Sequence, residues 1–338
     1  MPGKSLTKIG ASDRRPATLG SGYGLRRKDG RFTETLTRPL VFDAGLFLWQ
    51  EAGLKIIRTA REMQVVAEAE RRRGRRIAFV PTMGYFHEGH LNLMRLGRER
   101  ADCLCVSIYV NPAQFAPTED FAAYPRDFER DGRLATGVGV DWIFAPDNRE
   151  MYPDGYQTYV EVEGVTANLC GISRPHFFRG VTTVCTKLFH IVMPHLTVFG
   201  RKDFQQYVTI KRMVQDLNMP IEVIGMRITR EPDGLAMSSR NVYLIPEERE
   251  TALSLSRSLR LAKELYDTGE RASGAILTAV RGFIGRYPGA EIDYAKICDT
   301  GTMADVPRID GESVLALAVK VGRTRLIDNH VFGEELAV

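Results

Sequence analysis

The chain predicts an α/β fold, a parallel sheet covered by helices on both faces, followed by a smaller α+β unit toward its C-terminal end. Three observations carry this. Short runs that are almost wholly apolar alternate with helical patterns, and strands apolar on both faces belong to parallel sheets. The polar, glycine-bearing motifs stand where those runs end, which is where such sheets bind ligands. After Arg240 the pattern changes to two helices and then to segments that alternate apolar and polar residues.

Residues 57–73 repeat apolar positions at helical spacing. Residues 77–80 form a short apolar strand that stops at Pro81, and 91–99 read as a helix. A second buried strand, 104–110, ends at Asn111-Pro112, and a third, 142–145, is closed by Pro146. Helix 181–192, strand 196–199, helix 207–217 and strand 221–225 continue the alternation. Pro246 opens a helix through Tyr266, and proline suits a first helical turn. A helix over 272–286 follows, then alternating segments at 293–298 and 314–321, expected to form an antiparallel sheet with one open face. The expected division is therefore 54–230 for the nucleotide-type sheet and 231–332 for the second unit.

The 338 residues are 44% hydrophobic and 26% charged, which suits a globular chain with a sizeable core. No apolar run approaches the ~20 residues needed to cross a bilayer; the best, 40–49, is broken by Asp43. Residues 1–53 are basic and rich in Gly, Ser and Thr. They read as a disordered extension or a start codon assigned too early rather than as a transit peptide, because no amphipathic helix emerges. The net charge of +4 is small. The cluster Arg71, Arg72, Arg73, Arg75 and Arg76 follows a helical pattern, where cations complement exposed carbonyls, so no nucleic-acid partner is expected. The five cysteines form no Cys-x-x-Cys pair and sit mostly in apolar runs, as free thiols in a reducing compartment would. Cys103 and Cys105 should share one face of a strand.

Four segments carry chemistry. The first runs from Pro81 through Met83, Gly84, Tyr85, Phe86, His87, Glu88 and Gly89 to His90, between a strand and a helix. A glycine turn feeding a helix N-terminus presents free N–H groups to an anion, and two histidines add donors. A metal site is the weaker reading, since the two histidines lack a metalloprotease spacing and a third ligand. The second segment leaves its strand at Asn111 and Gln114, whose amides suit a ligand with a hydroxyl beside a carboxylate. The third, Gly200-Arg201-Lys202-Asp203 with Gln206 one turn on, sets a lysine at a strand end, where it can lie against phosphates. The fourth, 230–241, contains Met237-Ser238-Ser239-Arg240, a compact oxyanion loop at the expected domain junction.

In this order and spacing the four segments resemble the pantothenate synthetase family, and the resemblance runs from about Leu54 to Asn329. It implies a Rossmann-like nucleotidyltransferase domain, a small C-terminal lid domain, a homodimer and a cytoplasmic enzyme. The implied reaction joins pantoate to β-alanine through a pantoyl-adenylate, with ATP as substrate and Mg2+ as the metal. By matching motif, Met83 to His90, Gly200 to Asp203, Thr229 and Met237 to Arg240 would bind ATP. His90 would donate a proton, with His87, Lys202 and Arg240 beside it in the catalytic set. Gln114 and Gln206 would hold pantoate, Gln114 also placing β-alanine. Asp131 matches an acidic position near the metal.

The physical logic agrees, because an ionised carboxylate attacking the α-phosphorus needs placement and charge neutralisation more than a base. His87, His90, Lys202, Arg240 and magnesium are expected to supply that charge. Three departures stand out. Arg201 occupies a position where the family has Glu, Arg227 one where proline is common, and the histidine of a Ser-Arg-Pro-Gly-His-Phe pattern has moved to His176, leaving Phe177 in its place. They predict a working but slower enzyme. Rival readings are another nucleotidyltransferase of the same superfold, a class I aminoacyl-tRNA synthetase, which this chain is too short to be, and a catalytically idle nucleotide-binding regulator.

Overall fold

The computed structural model describes residues 53–116 and 119–336; the basic N-terminal extension lies outside them up to residue 52. Six strands form one parallel sheet: β1 (Lys55–Ile57), β2 (Ile77–Thr82), β3 (Cys103–Ile108), β4 (Trp142–Phe144), β5 (Leu196–Gly200) and β6 (Glu222–Met226). Their spatial order is β1-β4-β3-β2-β5-β6, every pairing parallel. The side chains of β2 alternate between two cores. Ile77 and Phe79 join Met63 and Ala67 of α1 (Ala60–Arg72), Val184 and Leu188 of α6 (Phe177–Val192), and Ile210 and Met213 of α7 (Phe204–Asp216). Ala78 and Val80 join Leu91 and Met94 of α2 (Glu88–Arg100) and Ala135 of α3 (Phe128–Val138). Cys103 and Cys105 share the first face, against Glu70 and Met63, and all five cysteines are free and buried.

The structure adds elements that the sequence pattern hid. Residues 55–57 are an edge strand rather than the start of a helix; Thr59 caps α1 by accepting a hydrogen bond from the Glu62 amide. Helix α3 begins at Asp127, whose carboxylate accepts from the Arg130 N–H, and ends at Gly139 with φ 81°. Two single-turn helices, α4 (Asn148–Met151) and α5 (Cys170–Ser173), punctuate the long passage between β4 and α6. The arginine cluster after α1 is engaged by protein groups: Arg71 with the Met193 carbonyl, Arg72 with Glu68, Arg73 and Arg75 with Glu70, and Arg76 with Glu222.

The second sheet is antiparallel, β7 (Ala290–Asp299), β8 (Ser313–Val321) and β9 (Thr324–Val331), backed by α8 (Pro246–Asp267) and α9 (Ser273–Ile284). The expected open face is closed. Leu315, Leu317 and Val319 pack on α8 and α9, while Val314 and Ala316 join the α6 side of the parallel sheet's core. Of β8 only Lys320 is exposed, so the three-stranded sheet is sandwiched rather than half-solvated. An ion pair spans this packing: Arg230 Nη1 lies 2.7 Å from Asp328 Oδ2, both side chains 2% exposed.

Candidate active site

At the carboxyl end of β2 the chain turns sharply into α2. Thr82 Oγ1 donates to the Ser107 carbonyl at 2.6 Å and accepts from the Gly84 N–H at 3.1 Å. Gly84 takes φ 84°, and a Cβ there would press on Asp131 Oδ2 and Ile108 Cγ2 at 3.0 Å. Only glycine meets both demands. Tyr85, at φ 54°, then swings the chain so that its N–H and that of Phe86 both donate to Asp131, at 2.6 and 2.7 Å.

Asp131 therefore stands behind the turn, 1% exposed, with both carboxylate oxygens engaged by backbone N–H groups. In this position it shapes the loop, and it does not line the cavity. Phe86 belongs to the core, and Glu88 pairs with Arg95 on the surface of α2.

The rings of His87 and His90 stack with centroids 4.0 Å apart. The His87 backbone N–H donates to His90 Nδ1 at 3.4 Å. A backbone amide can only donate, so the proton of neutral His90 resides on Nε2. Burial, with Lys202 nearby, lowers His87 to about 4. Burial and then the neighbouring His87 and Lys202 hold His90 well below the ordinary histidine value. The expectation that both histidines carry positive charge is thus corrected: burial keeps them uncharged at neutral pH, and of the four expected side chains the fixed cations are Lys202 and Arg240.

One cavity of about 310 Å³ gathers most of the expected residues: Met83, His87, Gly89 and His90 from the turn, Asn111 and Gln114 after β3, Gly200, Lys202, Asp203 and Gln206 after β5, then Thr229 and Met237 to Arg240. Among the described residues the ion pair of Lys202 is with Asp203, at 3.6 Å. The backbone of its turn is fixed by Asn329, whose amide donates to the carbonyls of Arg201 and Lys202 at 2.9 and 2.8 Å. The Ser239 hydroxyl donates to the Tyr85 carbonyl at 3.3 Å, tying the oxyanion loop to the histidine turn. Asn111 is 1% exposed and its amide is occupied, donating to Gln114 Oε1 and the Gly180 carbonyl and accepting from Tyr152 and the Ala113 N–H. It orients Gln114 more than it faces a ligand.

Gly84, Tyr85, Phe86, Glu88 and Arg201 do not line the cavity. Arg201 turns to Glu334, donating to both carboxylate oxygens at 2.9 and 3.0 Å, and Arg227 approaches the same carboxylate at 4.0 Å. Two departures from the family pattern thus converge on one acid, and the charge at 201 is directed away from the phosphate lysine. Phe177 does enter the cavity, under Arg174 at 3.9 Å from its ring centroid, while His176 is exposed. Arg174 and Tyr124 line the site without having been singled out from sequence as ligand residues. Arg174 belongs to the Ser-Arg-Pro motif, which was the available signal.

A pantothenate synthetase of Syntrophus aciditrophicus is 67% identical over 285 residues, covering 84% of this chain and all of that one. A crystal structure of the Thermus thermophilus pantothenate synthetase superposes with a TM-score of 0.78 at 41% identity, over 81% of this chain and 98% of that one. The Francisella tularensis pantoate-beta-alanine ligase, solved with beta-gamma ATP and beta-alanine, gives 0.70 at 28% identity over 84% of this chain and 100% of its own. The family model for Pantoate-beta-alanine ligase matches residues 55–331. A parallel sheet whose carboxyl edge collects the histidine turn, the amides, the lysine and the Ser-Ser-Arg loop in one cavity therefore belongs, with the chain that builds it, to the pantoate-beta-alanine ligase family.

Proposed function

We propose that this chain condenses pantoate with β-alanine through a pantoyl-adenylate, consuming ATP and releasing AMP and pyrophosphate. The observation that carries the reading is the meeting of two chemistries on one cavity: phosphate-binding groups (the turn before α2, Lys202, Arg240) and paired amides (Gln114, Gln206). In the first step a pantoate carboxylate oxygen attacks the α-phosphorus and the bond to pyrophosphate breaks. Lys202 and Arg240 offset the charge that gathers on the leaving group, and neutral His90 donates from Nε2. Gln114, oriented by Asn111 and lying 3.2 Å from Met83 Sδ, sets the hydroxy acid in line. In the second step the β-alanine nitrogen attacks the acyl carbon, AMP leaves, and the amine gives up a proton.

Magnesium ordinarily takes one or two carboxylates together with substrate phosphates. Asp203 is the carboxylate that fits that part, lining the cavity with its side chain 45% exposed, whereas Asp131 is engaged by the turn. A bound magnesium ion would neutralise phosphate charge. The resemblance also supports a homodimer, checked by sedimentation. Free buried thiols suit a reducing compartment, the cytoplasm, and among the described residues no helix is long and apolar enough to cross a membrane.

The reading is tested by incubating the protein with ATP, magnesium and pantoate, with and without β-alanine. Pantoate-dependent release of AMP and pyrophosphate is expected, and pantothenate only when β-alanine is present. AMP formed without any need for pantoate overturns the substrate assignment.

A further inference from the structure

The segment after β3 carries two adjacent acids, Glu119 and Asp120, that do not line the cavity, yet each grips an arginine that does. Arg174 donates from Nε and Nη2 to the two oxygens of Glu119, both at 2.5 Å, and from Nη2 to the Gln114 carbonyl at 2.9 Å. Arg240 donates from Nε and Nη2 to Asp120, both at 2.9 Å, and stands 5.6 Å from the ring centroid of Tyr124 on the same segment. Burial alone would raise the Asp120 carboxyl; its hydrogen bonds with Arg240 and that residue's charge outweigh burial and hold it below the ordinary value.

We infer that Glu119 and Asp120 are positioning residues, a dipeptide that aims two arginines and so sets both halves of the site from one loop. A bidentate carboxylate fixes the plane of a guanidinium as a single contact cannot. Each acid takes the Nε–Nη2 edge; among the described residues no hydrogen bond engages Nη1 of Arg240, and Arg174 also lies against the Cys170 thiol. The edge left over is the one that can meet a ligand. For Arg240 that ligand is the polyphosphate. Arg174, which also grips the Gln114 backbone, serves the hydroxy-acid side. Holding long side chains in place before binding lowers the ordering cost at binding. This inference rests on the reaction proposed above.

Asp120→Asn and Glu119→Gln keep shape and remove charge. Asp120→Asn is expected to raise KM for ATP about tenfold or more and leave KM for pantoate within twofold. Glu119→Gln is expected to do the reverse. In an Arg240→Ala background Asp120→Asn should add nothing, as befits a residue that acts through its partner. Asp120→Glu, which retains the charge, should recover part of the affinity, and it serves as the second variant where the amide fails to fold. A purely structural role would instead lower the melting temperature and move both KM values together. Titration calorimetry with ATP alone reads the Asp120 half without turnover. Unchanged or tighter ATP binding by Asp120→Asn overturns this inference, whereas absence of pantoate-dependent AMP from the unmodified chain overturns the reaction.

Discussion

At the scale of single residues, two of the four side chains expected to bring charge to the site are held neutral by burial. The stacked His87 and His90 are buried beside Lys202, and two imidazolium ions at that spacing would repel each other and the lysine. In the proposed reaction they would serve as neutral donors, with the His90 tautomer set by the backbone N–H of His87. His90→Ala and Lys202→Ala should each slow adenylate formation by two to three orders of magnitude, since a lost oxyanion donor costs about 3–4 kcal/mol. Single-turnover pyrophosphate release measures this, and a near-normal rate in either variant removes the role assigned to it. At position 201 the arginine is tied to Glu334, so it neither strengthens nor screens the pull of Lys202 on phosphate. That weakens the expectation of a slower enzyme as far as Arg201 carries it; Phe177 and Arg227 line the cavity and are the departures that still bear on rate.

At the scale of elements, the histidine turn is held by an acid from another helix. Asp131, in the first turn of α3, accepts from two successive amides, and Gly84 and Tyr85 take positive φ to present them. Asp131→Asn replaces one acceptor by an NH2 that faces an N–H, which leaves a buried donor unsatisfied. Its KM for ATP should rise at least tenfold, and raising magnesium should not restore it. Rescue by high magnesium would return Asp131 to the metal. The same logic of support from a distance runs through Asn329 of β9, which holds the carbonyls of the Lys202 turn.

Across the whole molecule, the two sheets share a core: Val314 and Ala316 of β8 join the cluster that backs β2. Arg230 and Asp328 are paired at the same junction, where losing one partner would strand a buried charge. Acid should weaken this assembly in a defined window. His87 and His330 are lowered to about 4, each chiefly by burial. Between about 4 and the ordinary value of 6.5 the folded chain binds fewer protons than the unfolded one, so stability rises with pH there and falls as pH drops. Urea midpoints at pH 7 and pH 5 should show the loss, and His330→Gln should reduce it. Midpoints that do not change over that interval would falsify the burial argument.

The parallel sheet, the succession of its central strands along the chain and the four segments that meet on the cavity were legible in the sequence, because apolar runs and the residues that end them are local signals. The histidine turn, the lysine and the Ser-Ser-Arg loop pointed to phosphate from residue types and spacing, whereas the hydroxy acid expected at the amide pair rested chiefly on the resemblance to the family. What tertiary structure decided was direction and partnership. Only folding brings α3 behind the turn so that Asp131 is used on amides, sets Glu334 against Arg201, and buries the histidines deeply enough to discharge them. β9 was hidden because Asp328, Asn329 and His330 look like surface residues until two cores close around them. The physical reason is common to these cases: burial and ion pairing depend on residues far apart in sequence, and periodicity records only which face a side chain leaves, never what it meets there.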